Sequence, residues 1–462
     1  MPAQLLALLV LTLALRLPLL WAGLPLTGAE LRALLVGERV HGGALPYRDL
    51  YDGTAPLAVA AFAALDAVFS RPVWLYRVGA LLLLLVQALR LNLVFNRYDV
   101  HPERGYVAAL IYLLVGSVST DLDCLSPLLL GHTFVVFALS ALLPTSRQDY
   151  DNRRLFRAGF LIGLAALCYL PLALFVGVGL FAVLIFAANS FRSGLLLLCG
   201  FLFPYALVAT FFFYTDALPG FAQFYLQPGL ASPTAGGVPG PVQLRLLVAV
   251  PGTVLVMGLM RALGTSLGLV FQSKFRQLML VWLLGAAGAA AAGGGVAPGT
   301  LVLMLPPVAY FGLFLWQRTR PRWVPEFILL LVLGATVLLR YRTLVPGLET
   351  LLRLPAESRY GLRPDPAHAA LRGQSLLILG PDQRAYLLAR AVTPYLDWNL
   401  SQADFGHLSE YPAVVRVARQ VAAAPPRYVL DQTNLLPRLQ QLVPGVFGPY
   451  QPTATPGLYR RP

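Results

Sequence analysis

Long apolar runs with few charged residues recur through the first three quarters of the chain. They are Leu5–Trp21, Leu125–Leu143, Ala158–Ala188 and Phe327–Leu339. A helix of about 20 apolar residues matches the hydrocarbon thickness of a bilayer and satisfies its own backbone hydrogen bonds there. We therefore predict an all-α polytopic membrane helix bundle of about eleven spans.

The composition supports lipid as the main surroundings of the chain. Hydrophobic residues make up 57% of the sequence and charged residues 12%, whereas about a quarter of a soluble domain is charged. The net charge of +14 comes almost entirely from arginine, with Lys274 as the only lysine. These arginines lie in short loops between apolar runs, which indicates positive-inside topology. We expect no nucleic-acid partner.

The predicted spans follow from hydropathy. The first covers about residues 4–22, and the weakly apolar Ala55–Ser70 comes after a polar stretch. Later spans are predicted at about 74–95, 105–119, 125–144, 158–170, 171–188, 195–213, 244–262, 277–294, 298–317 and 325–341.

The orientation depends on Ala55–Ser70. If this segment crossed the bilayer, the arginine-rich loop Thr145–Arg157 would lie outside, against the positive-inside rule. If it lies in the membrane plane, Thr120–Cys124 and Tyr214–Val242, which contain no lysine or arginine, are the loops outside. We therefore predict a cytoplasmic N-terminus, with Gly23–Trp74 and the C-terminal tail extracytoplasmic.

The tail has the composition of a soluble domain. We predict a transmembrane domain over residues 1–343 and a small extracytoplasmic α/β domain over 344–462. Ser375–Leu379 and Arg427–Leu430 have the pattern of buried strands, and Tyr411–Ala424 and Leu435–Leu442 have helical spacing.

The first extracytoplasmic loop holds the densest group of polar residues. Leu31, Leu34 and Leu35 lie on one side of Glu30–Val40, which predicts an amphipathic helix at the membrane interface. The segment Gly42–Leu57 follows, with two tyrosines, an arginine and two aspartates between glycine and proline turns. Exposed loop ends of a helix bundle are where such groups converge on a polar ligand.

The order of these motifs resembles the GT-C superfamily of polytopic membrane glycosyltransferases, which includes bacterial protein O-mannosyltransferases and aminoarabinose transferases. The resemblance is strongest over about residues 10–190. It rests on Arg16-Leu17-Pro18, Glu30, Gly43, Pro46-Tyr47-Arg48-Asp49, Pro56-Leu57, Arg77 and Asp121-Leu122-Asp123. One departure is Ala29-Glu30, where the family has Asp-Glu. Another is Ala55, where relatives often have lysine or histidine.

The resemblance implies a transferase that takes a sugar from a polyprenyl-phosphate carrier on the extracytoplasmic face. A bacterial inner membrane fits this expectation, and membrane lipid and the lipid-linked donor are its implied partners. The reaction needs a carboxylate at the acceptor hydroxyl and cationic help for the departing phosphate, from arginine or from a divalent cation. The sequence leaves the metal, the sugar, the acceptor and the oligomeric state open.

The candidate site residues follow from this resemblance. Glu30 is the first candidate for the base, with Asp49 and Asp52 as second choices. Arg39 and Arg48 are candidates to hold the phosphate, because a guanidinium matches phosphate oxygens bidentately. The remaining candidate substrate-binding residues are Tyr47, Asp121 and Asp123, and the two aspartates are candidates to orient the acceptor or bind a cation.

Each candidate also has a structural alternative. Glu30 fits the acid of a first helical turn, and Asp49 and Asp52 fit turn formers. Arg16, in the first span, is a candidate to face a polar cavity. For the whole protein, the alternatives are a non-catalytic envelope component of the same fold, which Ala29 favours, and a lipid or sugar transporter. A transporter predicts an inverted repeat, which the sequence does not contain.

Overall fold

The structure is a computed structural model of the chain. It describes residues 2–23, 25–143, 152–187, 190–227, 241–265, 269–295, 297–316, 323–342, 345, 347–352 and 361–462. The chain divides into two compact units. Unit 1 comprises Met1–Leu24, Trp74–Val208 and Leu230–Arg359, and unit 2 comprises Pro25–Val73, Ala209–Gly229 and Tyr360–Pro462. The predicted domain boundary after residue 343 stays a prediction.

Apolar helices dominate the chain. Among the described residues, seven are long and apolar enough to cross a membrane: Ala3–Trp21, Val73–Arg97, Phe191–Tyr214, Leu244–Gly264, Val270–Ala292, Pro298–Leu315 and Trp323–Arg340. With a mean hydropathy of +0.68, these helices make the chain an integral membrane protein.

The helices before residue 360 have these bounds: α1 Pro2–Trp21, α2 Gly28–His41, α3 Pro56–Val68, α4 Val73–Arg97, α5 Val107–Val115, α6 Pro127–Leu142, α7 Asn152–Cys168, α8 Phe175–Phe186, α9 Ser190–Tyr214, α10 Leu218–Gly220, α11 Pro241–Gly264, α12 Val270–Ala292, α13 Leu305–Gly312, α14 Trp323–Arg340 and α15 Leu348–Leu352. Short 3₁₀ turns cover Thr120–Asp123, Leu170–Leu174, Pro298–Met304 and Leu313–Leu315, and Phe221–Leu226 is π-helical.

The predicted spans at 105–119, 125–144, 158–170 and 171–188 correspond to shorter helices, so the count of about eleven stays a prediction. Local sequence explains where they begin and end. Ser126 Oγ accepts a hydrogen bond from Leu129 N over 3.1 Å and caps α6. Helix α7 ends at Cys168 because Tyr169 is extended, with φ −155° and ψ 107°, and the 3₁₀ turn that follows has Pro171 near its start.

Small residues bring helices α7 and α9 of unit 1 close together. A Cβ on Gly159 would lie 1.9 Å from Leu197 O, and a Cβ on Gly200 would lie 2.2 Å from Phe156 O. Larger side chains therefore do not fit at either position. Close backbone approach at small residues is the usual way in which membrane helices pack, because lipid provides no hydrophobic drive between them.

Unit 2 contains a five-stranded mixed sheet in the order β2-β1-β3-β5-β4. Its strands are β1 Ser375–Leu379, β2 Arg390–Ala391, β3 Tyr428–Asp431, β4 Gln451–Pro452 and β5 Leu458–Arg460. The pairs β1–β2 and β1–β3 are parallel, and β3–β5 and β4–β5 are antiparallel. Helices α16 Trp398–Phe405, α17 Tyr411–Ala423, α18 Leu436–Leu442 and α19 Pro444–Phe447 complete this part. The strands and helices predicted for the tail are confirmed to within one residue.

Helix α2 of unit 2 packs against the sheet. Leu31, Leu35 and Val36 are buried in one cluster with Leu376 and Ile378 of β1. Protein therefore covers the apolar side of α2, and the interfacial position of this helix stays a prediction. Helix α3 has 13 residues, a length of about 20 Å against about 30 Å of hydrocarbon.

Candidate functional site

Tyr47 holds the polar turn of unit 2 in an uncommon backbone conformation. Its φ is +65°, a left-handed value that costs a non-glycine residue roughly 1–2 kcal/mol. The buried ring packs against Phe212, Phe221 and Tyr225, and the hydroxyl donates to Thr54 O over 2.5 Å. Burial, followed by the nearby charge of Asp52, raises the pKa of Tyr47 well above its ordinary value. Tyr47 is thus a neutral group that fixes the turn.

The segment after α9 packs against this turn at Gly220. A Cβ on Gly220 would lie 2.0 Å from Tyr47 O. Gly53 also lies against this segment, because its Cβ position is 3.2 Å from Phe224 O. Two parts of unit 2 that are distant in sequence therefore form one packed structure around Tyr47.

Asp49 and Arg48 form a bidentate pair at the surface of unit 2. Arg48 Nε lies 3.0 Å from Asp49 Oδ1, and Arg48 Nη2 lies 3.1 Å from Oδ2. Leu45 N also donates to Oδ2 over 3.0 Å. Partial burial opposes the charged form of Asp49. The hydrogen bonds from Arg48 and Leu45 and the charges of Arg48 and Arg39 outweigh this effect, so the pKa of Asp49 is lowered.

Asp52 is the most deeply buried of the three candidate bases, at 3% exposure. Its Oδ1 accepts a hydrogen bond from Thr54 N over 2.8 Å, whereas its Oδ2 has no hydrogen-bond partner among the described residues. Burial raises the pKa of Asp52, although the charge of Arg32 and the bonds from Thr54 act in the opposite direction. Asp52 therefore combines a raised pKa with one carboxylate oxygen that is not engaged.

Arg32 and Asp397 lie next to this turn in unit 2. Arg32 Nη1 is 2.7 Å from Asp397 Oδ2. The backbone joins the same two segments, because Tyr51 N donates to Pro394 O over 2.8 Å and Asp397 N donates to Tyr51 O over 3.3 Å. Sequence reasoning missed both residues, since a pair separated by 365 positions leaves no local pattern.

Glu30 forms the capping box of α2. Its Oε2 accepts from Thr27 N over 2.7 Å, and Thr27 Oγ1 accepts from Glu30 N over 3.2 Å. The side chain is buried. This geometry matches the helix-end alternative, and a catalytic role of Glu30 stays a prediction.

Arg39, at the end of α2, differs from Arg48. It forms no ion pair within 4 Å among the described residues, and its Nε is buried without a hydrogen-bond partner there. Burial lowers the pKa of Arg39, and the charge of Asp49 partly offsets this effect. Arg39 is thus a half-buried cation with donors left for an anion.

The two candidate aspartates of unit 1 occupy different surroundings. Asp121 is exposed in the 3₁₀ turn Thr120–Asp123. Asp123 is 4% exposed and lies between two buried arginines. Arg16 Nη1 is 2.8 Å from Oδ1, and Arg340 Nη2 is 2.6 Å from Oδ2.

Backbone carbonyls complete the surroundings of both arginines. Arg16 donates to Leu122 O over 2.9 Å and to Gly116 O over 3.0 Å. Arg340 donates to Ser117 O over 2.9 Å and also to Leu15 O. Sequence reasoning considered Arg16 for a polar cavity but did not consider Arg340. Arg340 could have been identified as a candidate because it is an ionisable residue inside a predicted span.

The described residues contain no group of three or more histidine, cysteine, aspartate or glutamate side chains placed to hold a metal ion. A divalent cation stays a prediction.

Comparisons of sequence give no matching protein-family model and no matching curated protein. Comparison of structure finds the ArnT of Cupriavidus metallidurans, solved with bound undecaprenyl phosphate, with a TM-score of 0.59, 14% identity and 94% of both chains covered. It also finds an Archaeoglobus fulgidus oligosaccharyltransferase tethered to an acceptor peptide with the NVT sequon. That match has a TM-score of 0.50, 13% identity, and covers 99% of this chain and 73% of the other.

At these identities the similarity establishes the fold. ArnT and the oligosaccharyltransferase are both GT-C proteins, so the chain has the GT-C fold. The fold implied by the sequence resemblance is confirmed.

Proposed function

We propose that this protein is a membrane glycosyltransferase. It moves a sugar from a polyprenyl-phosphate carrier to an acceptor on the extracytoplasmic face of a bacterial inner membrane. In this proposal the N-terminus is cytoplasmic and the C-terminal domain extracytoplasmic. The main support is a fold shared over 94% of both chains with a protein that was solved with undecaprenyl phosphate.

Asp52 is the base that the geometry of unit 2 favours. A general base works best when its pKa lies near the operating pH, and burial moves the pKa of Asp52 upward. Asp49 is a weaker base because its pKa is lowered. The capping contact with Thr27 already occupies Glu30 Oε2. We therefore place Asp52 before Glu30 and Asp49.

Arg39 is the arginine that we assign to the donor phosphate. A phosphate needs a guanidinium that has donors left for its oxygens. Asp49 already binds Arg48 bidentately, whereas Arg39 Nε has no partner among the described residues. In unit 1, the exposed Asp121 remains a candidate for the acceptor or a cation. We assign the buried Asp123 a structural role in the packing of that unit.

A second candidate is a non-catalytic envelope component with the same fold. Two features support it. Ala29 stands where the resembled family has an aspartate, and the helix cap occupies the neighbouring Glu30 carboxylate.

The test is transfer of radiolabelled sugar from a panel of polyprenyl-phosphate donors by purified protein. We expect Asp52→Asn to lower turnover by about 100-fold or more. Asp382→Asn, at a half-exposed aspartate of the same unit that pairs with Arg384, is expected to leave turnover unchanged. Full activity in Asp52→Asn would transfer the base role to Glu30 or Asp49, which Glu30→Gln and Asp49→Asn then separate. No turnover by the folded wild type with any donor would favour the non-catalytic component.

A further inference from the structure

Unit 1 contains a polar cavity, formed by helices α4, α6 and α7. Its volume is about 240 Å³. This size is below the range typical of drug-sized ligands and suits a small polar group. We call it the arginine pocket, and its polar lining residues are Arg90, Arg97, Tyr98, Ser140, Arg154 and Arg157.

The four arginines of this pocket carry positive charge with no acidic partner among the described residues. Among the described residues, no carboxylate lines the cavity, and none forms an ion pair within 4 Å with any of the four. Positive-inside topology explains why arginines occur in such loops. It does not explain why four guanidinium groups converge on one cavity, where like charges repel each other.

Fixed contacts orient two of the guanidinium groups. Ser140 Oγ accepts from Arg90 Nη2 over 2.6 Å, and Ser140 O accepts from Arg154 Nη2 over 2.5 Å. The Tyr98 hydroxyl accepts from Arg154 Nη2 over 2.7 Å. Each arginine keeps further donors, and Arg90 Nε is buried without a hydrogen-bond partner among the described residues. The groups are thus held in place with donors left for an anion.

An apolar stripe on α4 leads into the pocket. Leu82, Val86 and Leu93 are exposed, and with Arg97 their spacing places them on one face of the helix. Helix α4 is one of the membrane-crossing candidates, so this stripe suits acyl chains. Leu93 also lines the pocket itself. A ligand with an anionic head and an apolar tail fits both surfaces.

We propose that the arginine pocket binds the phosphate-bearing headgroup of an anionic phospholipid. The guanidinium groups bind the phosphate oxygens, and the acyl chains follow the stripe on α4. Basic pockets between membrane helices are known sites for such headgroups. The positive-inside pattern predicts that this end of the helices faces the cytoplasm, opposite to the proposed transfer reaction.

The test is native mass spectrometry of the full chain from detergent, with phosphatidylglycerol or phosphatidylcholine added. We expect the wild type to retain phosphatidylglycerol in preference to phosphatidylcholine. Arg90→Gln with Arg154→Gln is expected to reduce this retention by roughly tenfold. The matched control is Arg153→Gln with Arg192→Gln, which removes two exposed arginines outside the pocket and is expected to leave retention unchanged.

A second double variant controls for misfolding. Arg97 and Arg157 are exposed, so Arg97→Gln with Arg157→Gln keeps the buried contacts and is also expected to reduce retention of phosphatidylglycerol.

Thermal unfolding distinguishes the source of the anion. Stabilisation by phosphatidylglycerol in the wild type alone supports the proposal. Stabilisation by inorganic phosphate but not by the lipid would overturn the lipid assignment, and equal retention by all variants would overturn the site.

Discussion

Arg340 donates a hydrogen bond to Asp123 over 2.6 Å, although 217 positions separate the two residues in the sequence. Arg16 pairs with the other carboxylate oxygen over 2.8 Å. All three side chains are almost fully buried, at 4% exposure or less. One carboxylate therefore joins the first span, the turn at Thr120–Asp123 and the last candidate span of unit 1.

Asp123→Asn tests whether this carboxylate acts on structure or on substrate. The substitution leaves two buried arginines without a negative charge, and we expect a loss of about 3–5 kcal/mol of folding stability. Asp121→Asn, at the exposed neighbour, should change stability by less than about 0.5 kcal/mol. Thermal unfolding in detergent measures both. A stable Asp123→Asn protein that has lost transferase activity would instead assign Asp123 to the substrate.

Gly220→Ala tests the close approach at Tyr47. The new Cβ would meet Tyr47 O at 2.0 Å, so the backbone must move, and we expect destabilisation of about 1–3 kcal/mol. Gly445→Ala is the matched control, because nothing lies within 4 Å of its Cβ position. Limited proteolysis and thermal unfolding should distinguish the two. Equal stability of both variants would contradict the packing described around Tyr47.

Arg71→Ala removes a threefold contact inside unit 2. Its guanidinium donates to Glu38 Oε2, Tyr386 O and Ala389 O, each over 2.8 Å. Because the group is mostly buried and charged, we expect a loss of about 2–3 kcal/mol in thermal unfolding. Arg384→Ala, which breaks an exposed pair, should cost less than about 1 kcal/mol. A small effect at both positions would count against Arg71 as a structural link.

The raised pKa of Asp52 predicts how stability depends on pH. The folded protein binds the Asp52 proton more tightly than the unfolded chain does. Stability therefore falls as pH rises from the unfolded pKa to the folded one, and the penalty stays above that range. Asp52→Asn should thus unfold at a higher temperature than the wild type at neutral pH, and the difference should shrink on acidification. A difference that does not depend on pH would show that Asp52 is not the titrating group.

Arg39→Lys tests the proposed phosphate contact and rests on the proposed function. Lysine keeps the charge but loses the planar fork, so the KM for the lipid-linked donor should rise about tenfold while kcat changes less. Arg48→Lys is the control, because Asp49 already engages Arg48. A donor KM that is equal for wild type and Arg39→Lys would place the phosphate elsewhere.

The sequence predicts features that depend on local pattern. Hydropathy identifies the long apolar helices, because about 20 apolar residues in a row have few alternatives to a span. The strand Ser375–Leu379 and the helix that begins at Tyr411 follow from periodicity alone. The order of short motifs indicates the GT-C fold, although the identity to solved relatives is only 13–14%.

The same reasoning does not reach features that depend on packing across the chain. The apolar side of α2 is visible in the sequence, but a sheet and a lipid surface require the same pattern. Asp123 and Asp52 look like ordinary loop aspartates until their neighbours are known. Arg340 and Asp397 stand 217 and 365 positions from the residues they bind. The ranking of the candidate bases rests on such long-range contacts.

Unit 2 is built from three segments that lie far apart in the sequence, and this affects its folding during synthesis. Leu31 and Leu35 of α2 are buried in one cluster with Leu376 of β1, so their partners in the sheet leave the ribosome long after they do. At about 5–20 residues per second, the roughly 290 residues between Val73 and Tyr360 take about 15–60 s to synthesise. During that interval the apolar side of α2 lacks its partners in the sheet, although Leu50 and Val59, which lie in the same cluster, are already synthesised. The early segment of unit 2 therefore stays incompletely packed until the last strands are synthesised.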